Sequence, residues 1–166
     1  MSDVELALAL DTPTLLKLLR IAPSKLNYWV GRGFCHRTLD TGSGRRATRY
    51  WTVEELVILR SIKALREAGC SLQLIARAED RLRSSFNAGL ANAILYYDGR
   101  DIFVDDQGTI ISLVQQAGQA TFTEALRIAA FPLRPWVEEG ERSAELVDIA
   151  AIRNRRELIR AKRSTA

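Results

Sequence analysis

The sequence predicts a mainly α-helical chain with β additions, and three features predict it. Pro13 and Pro23 open two short segments with apolar spacing, T-V-E-E at 52–55 opens a longer apolar stripe, and Asp98-Gly99 separates two β-rich runs. The expected order is two short helices, a hairpin, two further helices, a small α+β module and a C-terminal helix.

Thr12-Pro13 is a helix entry, because a hydroxyl can cap the first free amides and proline fits the first helical position. The spacing predicts a helix to about Arg20 that buries Leu15, Leu18 and Leu19. Pro23 repeats the signal and predicts a second helix to Val30, stopped by Gly31. Leu26 and Trp29 then face inward, and Ser24, Lys25, Asn27 and Tyr28 outward. Two short helices about three residues apart are a helix-turn-helix candidate. FCHRTLDTGSGRRATRY, residues 34–50, places β-prone ends around Asp40, Gly42, Ser43 and Gly44 and reads as a β-hairpin wing.

Thr52 and Glu55 form a capping box ahead of Val53, Leu56, Val57, Leu59, Ile62 and Leu65, a stripe that ends at Gly69. Ser71 caps a fourth helix to about Ser84, with Leu72, Ile75, Ala78 and Leu82 on one face. Strands are expected near 92–97 and 101–105, on either side of the Asp98-Gly99 turn. Residues 109–114 suit a third strand or one helical turn, and 119–126 are ambiguous. Pro132 and Pro135 argue against a regular element there, and 141 to about 162 reads as a terminal helix with its bases toward the end that suits the dipole.

At 166 residues and 47% hydrophobic content, the chain can bury a core without staples. Its longest apolar runs fall well short of the roughly 20 residues a membrane span needs, and MSDVELALALD carries acids where a secretory signal carries bases. A cytoplasmic protein with no membrane partner is expected. Cys35 and Cys70 lack metal-ligand spacing and read as reduced and as structural or incidental. The net charge of +4 is uneven: ten Lys or Arg against three acids from 20 to 66, four against ten from 85 to 148, and six against one from 153 to 163.

Three blocks occur in order with matching gaps: L-N-Y-W-V-G-R-G-F from Leu26, R-Y-W-T-V-E-E-L from Arg49 and I-K-A-L-R-E-A-G-C-S-L from Ile62. They resemble the L-R-Y-Y/W-x-x-x-G-L, R-x-Y-T-x-x-D-L and I-x-x-L-R-x-x-G-x-S-L of MerR-type transcription regulators, over about residues 12–82. The resemblance implies a winged helix-turn-helix. Ala22 stands where the family usually has a capping Ser, Asn27 where it commonly has a phosphate-binding Arg, and Glu55 replaces Asp. The family's long dimerising helix is interrupted here by Asp98-Gly99, and residues 90–135 resemble the small β-containing tail of an actinobacterial-looking subset.

Double-stranded DNA is the partner that the resemblance and the basic stretch together imply, because guanidinium and ammonium groups displace counterions condensed on the phosphates. The second helix of such a motif enters the major groove. Ser24 and Lys25 are the candidate base readers; Asn27 suits adenine or a phosphate, and the resemblance gives Tyr28 a phosphate contact. In the hairpin, His36, Arg37, Arg45, Arg46 and Arg49 complete the candidate DNA-binding set. Arg45, Arg46 and Arg49 suit the backbone or the neighbouring minor groove, while His36 beside Cys35 also reads as hairpin packing. Asp98, Asp101, Asp105 and Asp106 could form a cation cluster or an acid pair, but aspartate beside glycine is what hairpin turns use.

The expected organisation is a winged helix-turn-helix DNA-binding domain at 12–84 and a small α+β dimerisation or sensing domain at 88–163. The expected function is sequence-specific regulation of transcription, non-enzymatic and without a cofactor. The expected setting is a bacterial or phage nucleoid, with a homodimer and RNA polymerase as partners. The alternative is an architectural or accessory DNA-binding protein of excisionase or phage-packaging type.

Overall fold

The computed structural model describes residues 6–35, 39–40, 48–114 and 133–164. The chain is mixed α/β. Its elements in order are β1 (Leu6–Asp11), α1 (Thr12–Leu19), α2 (Pro23–Gly31), β2 (Leu39–Asp40), β3 (Arg49–Thr52), α3 (Val53–Glu67) and α4 (Leu72–Phe86). There follow β4 (Leu95–Tyr97), β5 (Ile102–Asp106), β6 (Thr109–Ser112), α5 (Leu133–Ser143), β7 (Glu145–Asp148) and α6 (Ile149–Ser164). They form two compact units, residues 1–56 with 137–166 and residues 57–136.

The first unit is organised by a four-stranded antiparallel sheet in the order β2-β3-β1-β7. Leu10 sits opposite Trp51 of β3 on one side, and Leu8 opposite Leu146 of β7 on the other. The strand β1 was not expected. L-A-L-A-L-D is built of helix formers, and its extended form comes from pairing with two segments that are distant in sequence.

The expected cap of α1 is also corrected. Asp11, not Thr12, is the N-cap, with its Oδ1 accepting from the Thr14 amide at 2.8 Å. The Thr12 hydroxyl instead accepts from the Trp51 indole nitrogen at 3.0 Å and donates to the Arg49 carbonyl at 3.3 Å, which fastens α1 to β3. Arg20 turns the chain in the left-handed region at φ 52°, and α2 begins three residues later. Leu15, Leu19, Leu26, Trp29 and Trp51 are buried in this unit's core.

Two further expectations fail at the C-terminal side. Pro135 does not prevent a regular element: it is the third residue of α5, where first-turn amides have no acceptor within the helix and a missing N–H costs nothing. Nor is there one helix from 141 to 162. The chain leaves α5 at Ser143, extends as β7 to complete the sheet, and only then enters α6. Gly140 explains how closely α5 packs, since a Cβ there would lie 2.9 Å from Leu56 Cδ2 and 3.0 Å from Val53 Cγ1.

The capping box is present as expected. Glu55 Oε2 accepts from the Thr52 amide at 2.9 Å, and Thr52 Oγ1 accepts from the Glu55 amide at 3.1 Å. In the second unit Gly69, at φ +97°, ends α3, and Ser71 Oγ caps α4 by accepting from Leu74 at 3.1 Å. Ile62, Leu65, Ile75, Leu82 and Leu90 are buried there, as are Ile102 and Val104 of the three-stranded sheet β4-β5-β6. Residues 109–112 are thus a strand rather than a helical turn, entered through Gln107 and Gly108, both at positive φ as a tight hairpin requires.

Candidate nucleic-acid interface

The helix α2 is divided cleanly between core and solvent. Leu26 and Trp29 are 2% and 1% exposed, whereas Ser24, Lys25, Asn27 and Tyr28 are all exposed. This follows from helical spacing, because positions three and four apart share a face. Pro23 starts the helix without sacrificing a hydrogen bond, and no side chain caps it at Ala22. The Ala22 carbonyl accepts from the Lys25 and Leu26 amides at 3.0 and 3.2 Å and closes the first turn. Lys25 is exposed and lies over the Trp29 ring, its ammonium 5.4 Å from the centroid, a cation–π contact.

The ends of the expected hairpin pair as antiparallel β2 and β3, with Asp40 opposite Arg49. Arg49 is half-buried, and its carbonyl receives the Thr12 hydroxyl. His36, Arg37, Arg45 and Arg46 lie outside the described residues. Of the expected set, then, Ser24, Lys25, Asn27 and Tyr28 are together on one helix face, and Arg49 is on a strand of the same unit.

A sequence model of the MerR HTH family of regulatory proteins matches residues 13–82, the span of the two short helices, the β2–β3 pair and α3 with most of α4. The matched residues are similar to the MerR-family helix-turn-helix. Curated relatives include proteins of Mycobacterium tuberculosis and Mycobacterium bovis described as uncharacterized HTH-type transcriptional regulators, each 26% identical over 141 residues. The match covers 84% of this chain and 63% of each relative, so the chain spans less than two thirds of their length. No solved structure matches.

One further residue belongs to the exposed face of α2. Arg32, the residue after the helix, is exposed and holds its guanidinium 5.5 Å from the Tyr28 ring centroid. Sequence reasoning missed it because Gly31 looked like a stop. The signal was its spacing, four residues beyond Tyr28 and seven beyond Lys25.

Outside the matched residues the aspartates serve the backbone. Asp98 Oδ1 accepts from Arg100 and Asp101 amides at 2.8 and 2.7 Å, and Asp105 Oδ1 accepts from Gly108 at 2.7 Å. Buried Asp101 accepts from the Ile102 amide and from the Ser112 hydroxyl. Among the described residues no group of three or more His, Cys, Asp or Glu could hold a metal ion, and no helix is long and apolar enough to cross a membrane. Cys70 is buried, and its thiol is pushed up to about 11 by burial, with Arg66 opposing and Asp101 adding to the rise.

Proposed function

We propose that the protein is a sequence-specific DNA-binding regulator of transcription, with α2 in the major groove and the β2–β3 pair acting as the wing along the backbone. The observation that carries this reading is the exposed row of Ser24, Lys25, Asn27, Tyr28 and Arg32, on the second helix of a helix-turn-helix, backed by buried Leu26 and Trp29. Early residues of such a helix reach base edges, which gives Ser24 and Lys25 the reading role; Lys25 suits a guanine O6 or N7. Tyr28 and Arg32, further along the chain, suit phosphates, as do His36, Arg37, Arg45, Arg46 and Arg49 of the expected hairpin. Asn27 pairs with adenine or a phosphate.

The DNA-binding domain is residues 12–84 in this reading, and residues 88–163 serve self-association, sensing or both. Support for a homodimer comes from Leu6, Leu8 and Leu146, which are 57%, 41% and 67% exposed on one face of the β1–β7 pair, with Leu8 directly opposite Leu146. A two-fold dimer would bind a palindromic site. Control of a promoter brings the protein beside RNA polymerase in the bacterial cytoplasm. The names of the mycobacterial relatives favour regulation over an architectural role.

Selection of bound duplexes from a random pool, followed by fluorescence anisotropy across 50–200 mM salt, tests the reading. A defined sequence and an affinity that falls steeply with salt are expected. Binding indifferent to sequence would leave the architectural role, and no binding in dilute buffer would remove DNA altogether.

A further inference from the structure

Two cations lie over aromatic rings along α2, each four residues from its partner. Lys25 meets Trp29, and Arg32 meets Tyr28, with its guanidinium carbon 5.5 Å from the ring centroid. The spacing is the cause, since residues four apart are neighbours on a helix and side chains lean back over the preceding turn. The two pairs differ in their surroundings. Trp29 is buried and fills the core whatever Lys25 does, whereas Tyr28 is 52% exposed and leaves the core contacts of this helix to Leu26 and Trp29.

Arg32 is also fixed through its backbone. Its amide donates to the Tyr28 and Trp29 carbonyls, both at 3.1 Å, and Gly33 then turns the chain away at φ +85°. The sequence from Ile21 to Leu39 carries no acid, and among the described residues no ion pair holds the Arg32 guanidinium. The nature of the partner decides what the contact can do. A carboxylate would cancel the charge that a phosphate needs, while a ring attracts the cation through its quadrupole and leaves the charge in place. An arginine held in this way also has less rotamer freedom to lose on binding.

We propose that Tyr28 is a positioning residue for Arg32: its aromatic ring holds the guanidinium at the end of α2, where a phosphate of the duplex backbone is bound. This rests on the reading of α2 given above, and it gives the ring a role separate from any contact of the phenol hydroxyl. The pair serves the backbone rather than the bases, because Arg32 follows the last residue of α2 while the early residues of such a helix reach base edges.

The test uses the full chain, the selected duplex and an unrelated one, and a double-mutant cycle read by anisotropy. Both side chains are exposed, so the variants keep the fold. Arg32→Gln should weaken binding to both duplexes by the same factor and make the slope of log affinity against log salt shallower by about 1. In a Tyr28→Leu background that factor should shrink by about two- to fivefold, the worth of an exposed cation–π contact. In a Tyr28→Phe background it should equal the wild-type factor, since only the hydroxyl is lost. In the free protein, nuclear magnetic resonance should find the Arg32 side-chain protons displaced by the ring current, and back at their unstructured positions in Tyr28→Leu. An Arg32→Gln factor that is the same in all three backgrounds, with the wild type binding DNA, overturns the proposal and leaves the reading of α2 intact. So do undisplaced Arg32 protons in the wild type, or a Phe variant that loses the coupling as the Leu variant does. A wild type that binds no duplex overturns the reading of α2 and this proposal with it.

Discussion

The indole nitrogen of Trp51 donates a 3.0 Å hydrogen bond to the Thr12 hydroxyl, which in turn donates to the Arg49 carbonyl. One hydroxyl thus ties the first helix of the motif to the strand behind it, next to a tryptophan that is 2% exposed. Thr12→Val keeps the shape and leaves the indole without a partner, which should cost about 1–3 kcal/mol. Thermal unfolding should fall by about 2–4 °C per kcal/mol, and Thr12→Ser should restore most of it. A Val variant that melts like the wild type would show the bond to be dispensable.

Two glycines in helices should respond oppositely to alanine. Gly31 has nothing within 4 Å of an added Cβ, so Gly31→Ala should stabilise by about 0.5–1 kcal/mol through helix propensity. Gly140→Ala would press on Leu56, which is fully buried, and on Val53, so overpacking of about 1–3 kcal/mol should outweigh the same gain. Denaturant melts of the two variants give the comparison, and a stabilised Gly140→Ala would contradict the close approach of α5.

The Cys70 thiol predicts a loss of stability in alkali. Burial raises it from 9.0 to about 11, so the folded chain keeps a proton that the unfolded chain has released. Its contribution is therefore full below pH 9 and is lost as pH rises through 11. Melting temperature should be flat from pH 7 to 9 and decline above, and Cys70→Ala should reduce the decline between 9 and 10. A residual fall remains above that, because burial also raises Tyr97 and Tyr50.

Base reading and backbone binding should separate by mutation. Lys25→Ala should mainly alter which duplex is preferred, by about 1–3 kcal/mol at one position of the site. Arg45→Ala with Arg46→Ala should weaken all duplexes together and flatten the salt dependence. Equal loss of preference from both changes would contradict the assigned roles.

The parts of the fold that the sequence displayed are those whose cause is local. Pro23 before Leu26 and Trp29, the Thr52–Glu55 box and the turns at Asp98 and Asp105 all follow from neighbours within four residues. What stayed hidden was set at long range. β1 looks helical residue by residue and becomes a strand because Thr52 and Leu146 lie on either side of it; β7 follows for the same reason, and it breaks an apparently continuous terminal helix. In the candidate site, Lys25 and Tyr28 were legible from helical period, whereas Arg32 was masked by the glycine before it. The placement of α6 in the first unit depends on β7 and had no signal in the sequence at all.

Entry of α2 into the major groove is most directly tested by methylation interference on the selected duplex. Methylation of guanine N7, which lies in the major groove, should block binding at one or more positions, and the Lys25→Ala variant should lose sensitivity at one of them. Binding that tolerates every N7 methylation and is blocked only from the minor groove would contradict the account.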